Sequence, residues 1–331
     1  MKIAIVKLSA MGDIVHAMVA LQFIKKHNPN IEIDWFVEKA FFQVLENNPD
    51  IDNIYSLNLK AIKKDKKQLL SQIKQVKRYS KKTYDLVIDA QGLIKSAIVA
   101  KLLGKKVAGF SKNSIREKAA SYFYKKKVSI AYDENTIDRN AKVLSKPLGF
   151  EILEADILDM KPFLYYKDED KIIYEYLKEN EKNIIFVIGS TWESRNYPKE
   201  KFLNIANSLK NNCLIVWGNE EEKEKALWLE ENSKYIKAMP KINLNSLKAL
   251  ISKCDLLIGN DTGPTHMAWA LCKPSITIFG PTPINRVYQT SINKVVKSSS
   301  KVNHYKLDKN DFSIKEIDEE IIIEMARKLL N

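Results

Sequence analysis

Cysteine is scarce in this chain: three residues, Cys213, Cys254 and Cys272, occur in 331 positions, all in the second half. An odd number with no paired spacing excludes a disulfide framework or a zinc ribbon and fits a reducing cytoplasm. Glycine and proline number ten each, too few for a collagen-like or low-complexity chain. No window approaches the roughly 20 apolar residues of a membrane span. The opening run MKIAIVKLSAMGD is interrupted too early for a signal peptide, so a cytoplasmic protein, at most peripheral to a membrane, is expected. The fingerprint G-x-G-x-x-G is missing from the first strand-to-helix turn, which removes the main signature of a nicotinamide enzyme.

What the chain has is length and lysine. At roughly 150 residues per domain, it makes about two domains. Lys and Arg number 54 against 41 Asp and Glu, a net charge of +13. Residues 1–165 hold 29 basic and 18 acidic side chains (+11), whereas 166–331 hold 25 and 23 (+2). A lysine-rich proteome raises both halves alike, so the asymmetry points to a polyanionic partner for the first half. Any single lysine serves equally well as solvated helix surface. Nucleic acid as that partner predicts stacking aromatics among the lysines. The densest stretch, Lys60 to Lys82, has only Tyr79, and no nucleic-acid partner is expected.

Short apolar runs alternate with helical segments along both halves. In the first, KIAIVKL, EIDWFV, NIYSL, YDLVIDA and KKVAGF read as strands, with helices from about Ile14 to Lys26 and in AFFQVLENN, the lysine stretch, LIKSAIVAKLLG and SIREKAASYFY. In the second, NIIFVIG, CLIVWG, Tyr235 to Ala238, DLLIGND and SITIFG are strands divided by helices such as PKEKFLNIANSLK. This pattern predicts two doubly wound parallel-sheet domains, α/β in class, whose strand ends face one cleft. The expected division is 1–155, 156–312 and a final helix over 313–331 able to return to the first domain, with the linker within about 150–170.

Three strand-to-helix turns carry chemistry. Ser9-Ala10-Met11-Gly12-Asp13 offers backbone N–H groups at a helix N-terminus, with Asp13 either a cap or a functional acid. Gly189-Ser190-Thr191-Trp192-Glu193-Ser194-Arg195 places two hydroxyls and an arginine where a diphosphate can be held. Gly259-Asn260-Asp261-Thr262-Gly263-Pro264-Thr265-His266 presents a small hydroxyl and a glycine at another helix N-terminus, suited to phosphate oxygens without a metal.

The set SAMGDIVHAMVAL at 9–21, DAQGLIKSA at 89–97, TWESRNYP at 191–198 and NDTGPTHMAWAL at 260–271 closely resembles the bacterial ADP-heptose:lipopolysaccharide heptosyltransferases of glycosyltransferase family nine. DAQGLIKSA is most similar to the members, the heptosyltransferase I type, that add the first heptose to the Kdo of lipid A; heptosyltransferase II, which adds a later heptose, is the alternative. The resemblance implies a GT-B fold and an inverting, metal-independent transfer with ADP-heptose as donor substrate and no further cofactor. It also implies a monomer at the cytoplasmic face of the inner membrane, with Kdo-lipid A bound by the N-terminal domain. Asp13 is then the general base. Ser190, Thr191, Arg195, Glu220, Asp261, Thr262, Gly263 and His266 are implied on the donor side, with Glu220 falling on the ribose-binding acid of a WG-x-E pattern. Gly12, Lys60, Lys63, Lys64, Gln91, Lys95, Arg116 and Arg139 are expected on the acceptor side. Two departures stand out: Arg195 where relatives often carry Lys, and Trp269 where the helix more often has a small residue.

Overall fold

The computed structural model describes residues 1–331 apart from the side chains of Lys63 and Lys64. It divides into two compact units, Met1–Tyr165 and Tyr166–Asn331.

The first unit runs β1 (Lys2–Val6), α1 (Met11–His27), β2 (Glu32–Glu38), α2 (Phe42–Leu45), β3 (Asn53–Leu57), α3 (Ala61–Lys64) and α4 (Gln68–Ser80). It continues through β4 (Leu86–Asp89), α5 (Ile94–Leu103), β5 (Val107–Phe110), β6 (Lys126–Val128), α6 (Thr136–Ser145) and α7 (Glu154–Leu158). Its sheet is parallel, in the order β3-β2-β1-β4-β5-β6. The strands read as unbroken apolar runs because helices cover both faces: Ile3, Ala4, Ile5 and Val6 are all fully buried.

The second unit holds β7 (Asn183–Val187), α8 (Lys199–Leu209), β8 (Asn212–Val216), α9 (Glu220–Asn232), β9 (Ile236–Ala238) and α10 (Leu244–Lys253). Then follow β10 (Leu256–Asn260), α11 (Gly263–Ala270), β11 (Ser275–Phe279), β12 (Asn293–Lys297) and α12 (Glu319–Leu330). Its sheet is also parallel, in the order β12-β11-β10-β7-β8-β9. Numbered from β7, this is the same 3-2-1-4-5-6 winding as the first sheet, so each unit reverses direction between its first and fourth strands. Ligands of such sheets bind outside the carboxyl ends of the strands at that reversal. In the first unit it falls between Val6 and Asp89, and in the second between Val187 and Gly259.

Three sequence expectations are corrected. The boundary lies past 155 because residues 156–165 are tied to the first unit: Asn48 Nδ2 donates to the Phe163 carbonyl at 3.1 Å, and Gln22 exchanges hydrogen bonds with Lys161. From Lys167 the ties run to the second unit, through two hydrogen bonds with Asn245. The final helix packs on α8 within its own unit, with Ile322, Ile323 and Ala326, and Ile314 just before it, fully buried in that unit's core. Each buried isoleucine contributes about 1.5–3 kcal/mol, and Tyr197 Oη and Lys201 Nζ both donate to the Ile317 carbonyl. The segment SIREKAASYFY forms a 3-10 helix over Lys118–Phe123 and not an α-helix. It is pinned at both ends, where Glu117 accepts from Ile94 N and Tyr124 Oη donates to Asp89.

Candidate active site

At the reversal of the first sheet, the β1–α1 turn is held from three sides. Gln91 Oε1 accepts from Leu8 N and Ser9 N, each at 3.0 Å; Glu38 N donates to the Leu8 carbonyl; and Trp35 Nε1 donates to the Lys7 carbonyl. Gln91 is aimed by its own turn. Asp89 Oδ1 accepts from Gln91 N and Gly92 N, and Gly92 takes a left-handed φ of +72° that a side chain would resist, since its Cβ would stand 2.7 Å from Ile115. Asp89 Oδ2 receives Ser96 Oγ and Tyr124 Oη. Burial pushes the Asp89 carboxyl up against these bonds. The DAQGLIKSA motif thus builds the floor under the turn, and the carbonyl oxygen of Gln91 is committed to positioning it.

Asp13 stands at the third position of α1, not at its cap. It is half-buried, and its Oδ2 accepts from Ala10 N at 3.2 Å. Gly12 is half-buried beside it. Beneath the turn lies a group that sequence reading missed, Lys7, 5% exposed, whose Nζ donates to the Ala90 carbonyl at 2.8 Å and Asn140 Oδ1 at 2.9 Å. Burial lowers its pKa, opposed by the charges of Asp13 and Asp89. Its signal in the sequence is a lysine inside the otherwise apolar run KIAIVKL.

The basic residues divide into exposed and committed groups. Lys60, Lys95 and Arg116 are exposed; Lys60 stands over the Phe41 ring at 5.1 Å, and Arg116 is 3.9 Å from Glu117. Glu38, 2% exposed at the carboxyl end of β2, accepts from the backbone N–H groups of Leu59 and Lys60; burial raises its pKa against the nearby charge of Lys95. The side chains of Lys63 and Lys64 lie outside the described residues. Arg139 departs from expectation. It is 9% exposed, donates to the carbonyls of Ala131 and Ser114, and lies 5.1 Å from the Phe110 ring and 5.0 Å from the Tyr132 ring. That environment makes it framework, because its guanidinium is spent inside the fold.

At the reversal of the second sheet, Asn260 joins the two loops. Its Oδ1 accepts from Tyr197 N and its Nδ2 donates to the Ile188 carbonyl. Asp261, 1% exposed, gathers a polar cluster: Arg195 Nη2 at 2.8 Å and Thr282 Oγ1 at 2.8 Å on Oδ2, and His266 Nε2 at 3.0 Å on Oδ1. Burial alone would raise its pKa. The Arg195 charge, the His266 hydrogen bond and the Arg286 charge outweigh that and hold it well below the usual carboxylate range. His266, 5% exposed, therefore faces Asp261. Thr282 and Arg286, which follow β11, were not foreseen from the sequence.

Thr262 caps α11 and leaves Gly263 and Pro264 half-exposed at the helix N-terminus, where the dipole favours an anion. Ser190 Oγ is buried with no hydrogen-bond partner among the described residues, a state that costs about 1–3 kcal/mol unless a ligand relieves it. Thr191 is exposed, and Trp192 lies between Arg195 at 5.5 Å and Lys309 at 4.8 Å. Trp269 is accommodated in the helix at 4% exposure.

The three glutamates of the WG-x-E region differ in orientation. Glu220 and Glu221 point outward, with side chains 74% and 69% exposed, and pair with Lys223 and Lys225. Glu222 turns back to the sheet: it accepts from Gly218 N at 2.7 Å, and its carboxyl fills the space that a Cβ on Gly189 would need, 2.1 Å away. Helical spacing explains the difference, because two further residues carry the side chain from the solvent face to the carboxyl ends of β7 and β8. Among the described residues, no three His, Cys, Asp or Glu side chains gather as a metal site.

Two doubly wound parallel sheets, each with such loops at its reversal, are the GT-B fold of many nucleotide-sugar enzymes, and the family match makes this one a glycosyltransferase. The profile of Glycosyltransferase family 9 (heptosyltransferase) matches residues 72–316, and the chain belongs to that family. It is 40% identical over 344 aligned positions, 99% of each chain, to "Lipopolysaccharide heptosyltransferase 1" of Campylobacter coli. Among solved structures it matches E. coli heptosyltransferase WaaC with ADP at a TM-score of 0.77 and 26% identity, covering 100% of this chain and 99% of that one. The same enzyme with ADP-2-deoxy-2-fluoro heptose gives a TM-score of 0.80 at 24% identity, with 99% of each covered.

Proposed function

We propose that this chain, acting as a monomer, transfers L-glycero-D-manno-heptose from ADP-heptose to a Kdo hydroxyl of Kdo-lipid A, with inversion, at the cytoplasmic face of the inner membrane. The observation that carries the reading is 40% identity across 99% of a lipopolysaccharide heptosyltransferase 1, in a chain with an acid at one sheet reversal and an arginine-bearing anion site at the other.

Asp13 takes the acceptor proton as the Kdo oxygen attacks the anomeric carbon. The bond from that carbon to the β-phosphate oxygen breaks, and ADP leaves with the electron pair. Arg195, the open N-terminus of α11 at Thr262 and Gly263, and the hydroxyls of Ser190 and Thr191 neutralise the charge that grows on the leaving group. Asp261 and His266 hold Arg195 and α11 in place, and Glu222 accepts from the ribose hydroxyls. Lys60, Lys63, Lys64, Lys95 and Arg116 meet the phosphates and carboxylates of the acceptor, while Gln91 and Gly12 shape the turn that carries Asp13.

The test is a product assay with two acceptors, Kdo-lipid A and heptosyl-Kdo-lipid A, read by mass spectrometry. Heptose added to the first and not the second supports this reading; addition only to the second makes the chain a later-acting heptosyltransferase II.

A further inference from the structure

The lysine-rich stretch contains an apolar feature that its charge conceals. On α4, which packs against α5, Leu69 and Leu70 are 46% and 67% exposed, and on α5 Ile94 and Ile98 are 41% and 43% exposed. Both helices start at the carboxyl end of the sheet, after β3 and β4. Their crossovers run in the same direction across the order β3-β2-β1-β4-β5, so right-handed connections put both on one face. Leu69, Leu70 and Ile94 therefore lie in the first turns of neighbouring helices, at the end of the sheet that carries Asp13, and Ile98 follows one turn further along α5.

Basic charge flanks the α4 side of this shelf. Residues 60–82 hold ten basic side chains and one acid, Asp65, and Lys66, Lys67, Lys74 and Lys77 are exposed. Of the thirteen residues of α4, only Val76 is buried. Exposed leucine and isoleucine beside a run of lysines, with Glu117 the acid next to Ile94, are costly in water and fit a surface that is anionic outside and apolar just beneath, an acidic bilayer. A nucleic acid would use the lysines and gain nothing from four aliphatic side chains.

We infer that the Leu69–Leu70 and Ile94–Ile98 shelf is the membrane-contact surface of this chain, seated on anionic lipid with its aliphatic side chains at the acyl boundary. It rests on the reading that the acceptor is a membrane lipid, and it gives that reading a geometry: the turn bearing Asp13 is carried beside the bilayer in which the acceptor is anchored.

The test uses the full chain and vesicles that contain neither donor nor acceptor, made of phosphatidylcholine with or without phosphatidylglycerol, read by flotation. Wild type binds the anionic vesicles, less as salt screens the lysines over roughly 8–10 Å. Leu69→Ser/Leu70→Ser lowers the bound fraction at physiological salt by about tenfold. Ile98→Ser lowers it in the same direction, and Lys66→Gln/Lys67→Gln shifts the loss of binding to lower salt. Leu158→Ser, at a leucine 55% exposed on α7, leaves binding unchanged, and circular dichroism melts verify that each variant folds. Wild-type binding by the double leucine variant, an equal loss in the Leu158 variant, or equal binding to neutral vesicles overturns the inference. Since no sugar is present, failure here leaves the transfer reaction untouched. Failure of the product assay in detergent, conversely, leaves the vesicle result standing.

Discussion

Arg195 and Asp261 form a buried ion pair, Nη2 to Oδ2 at 2.8 Å, that joins the β7–α8 loop to the loop entering α11. Asp261 keeps its charge in a dry site only because Arg195, His266 and Arg286 surround it. Removing the carboxylate leaves a buried guanidinium without its counter-charge, so Asp261→Asn should lower stability at pH 7 by about 3 kcal/mol in urea denaturation. The Asp261 pKa is lowered on folding, so its contribution is complete above an unfolded value of about 4 and is lost as pH falls through the depressed folded value. The gap between wild type and variant should therefore shrink on acidification below pH 4.

The same pair makes a prediction about the donor. Arg195→Ala should weaken ADP binding by about 10–100-fold, the worth of a charged hydrogen bond. Arg195→Lys should recover part of the loss, since it keeps the charge and gives up the planar fork. Calorimetric titration with ADP separates the three proteins.

Glu222, and not Glu220, faces the carboxyl ends of β7 and β8. Glu222→Gln should raise the ADP dissociation constant about tenfold, whereas Glu220→Gln should leave it at the wild-type value. The reverse result would restore the ribose contact to the first glutamate of the run.

Asp138, in the first turn of α6, is pushed up to about 6 by burial and by the charges of Glu154 and Glu134. A raised acid penalises the folded state wherever it is ionised, so Asp138→Asn should stabilise the protein by about 1 kcal/mol at pH 7 after allowance for its solvent contact. The gain should fade as pH drops from 6 toward 4, where wild type takes up the proton itself. Thermal melts across that range test it.

Replacing Lys60, Lys63 and Lys64 together by Gln should raise KM for the lipid acceptor about tenfold at low salt and leave KM for ADP-heptose unchanged. The two proteins should converge as ionic strength rises. Equal acceptor constants at every salt would make these lysines solvated surface only.

Much of the fold was legible because parallel strands buried on both faces leave unbroken apolar runs, as in KIAIV and NIIFV. β6 and β12, at the sheet edges, escaped notice: Lys126-Lys127-Val128 and Asn293-Lys294-Val295-Val296-Lys297 carry lysines that edge exposure tolerates. The loops at the reversals were legible from their Gly, Asp and hydroxyl residues. What the sequence hid was orientation. Three consecutive glutamates look alike until a helix turns one of them inward, and Arg139 looks like a free cation until Phe110, Tyr132 and two carbonyls enclose it. Lys7 and Thr282 act through neighbours remote in the chain, Asn140 and Asp261, and spacing carries no trace of either pairing.

Asp13 is the proposed base of the transfer, and its removal is the most direct test. Asp13→Asn should lower kcat by at least ~10², while the dissociation constant for ADP-heptose, measured by titration without acceptor, stays within twofold of wild type, about 0.4 kcal/mol. A loss of kcat under tenfold, or a donor affinity that falls in step with kcat, would contradict it.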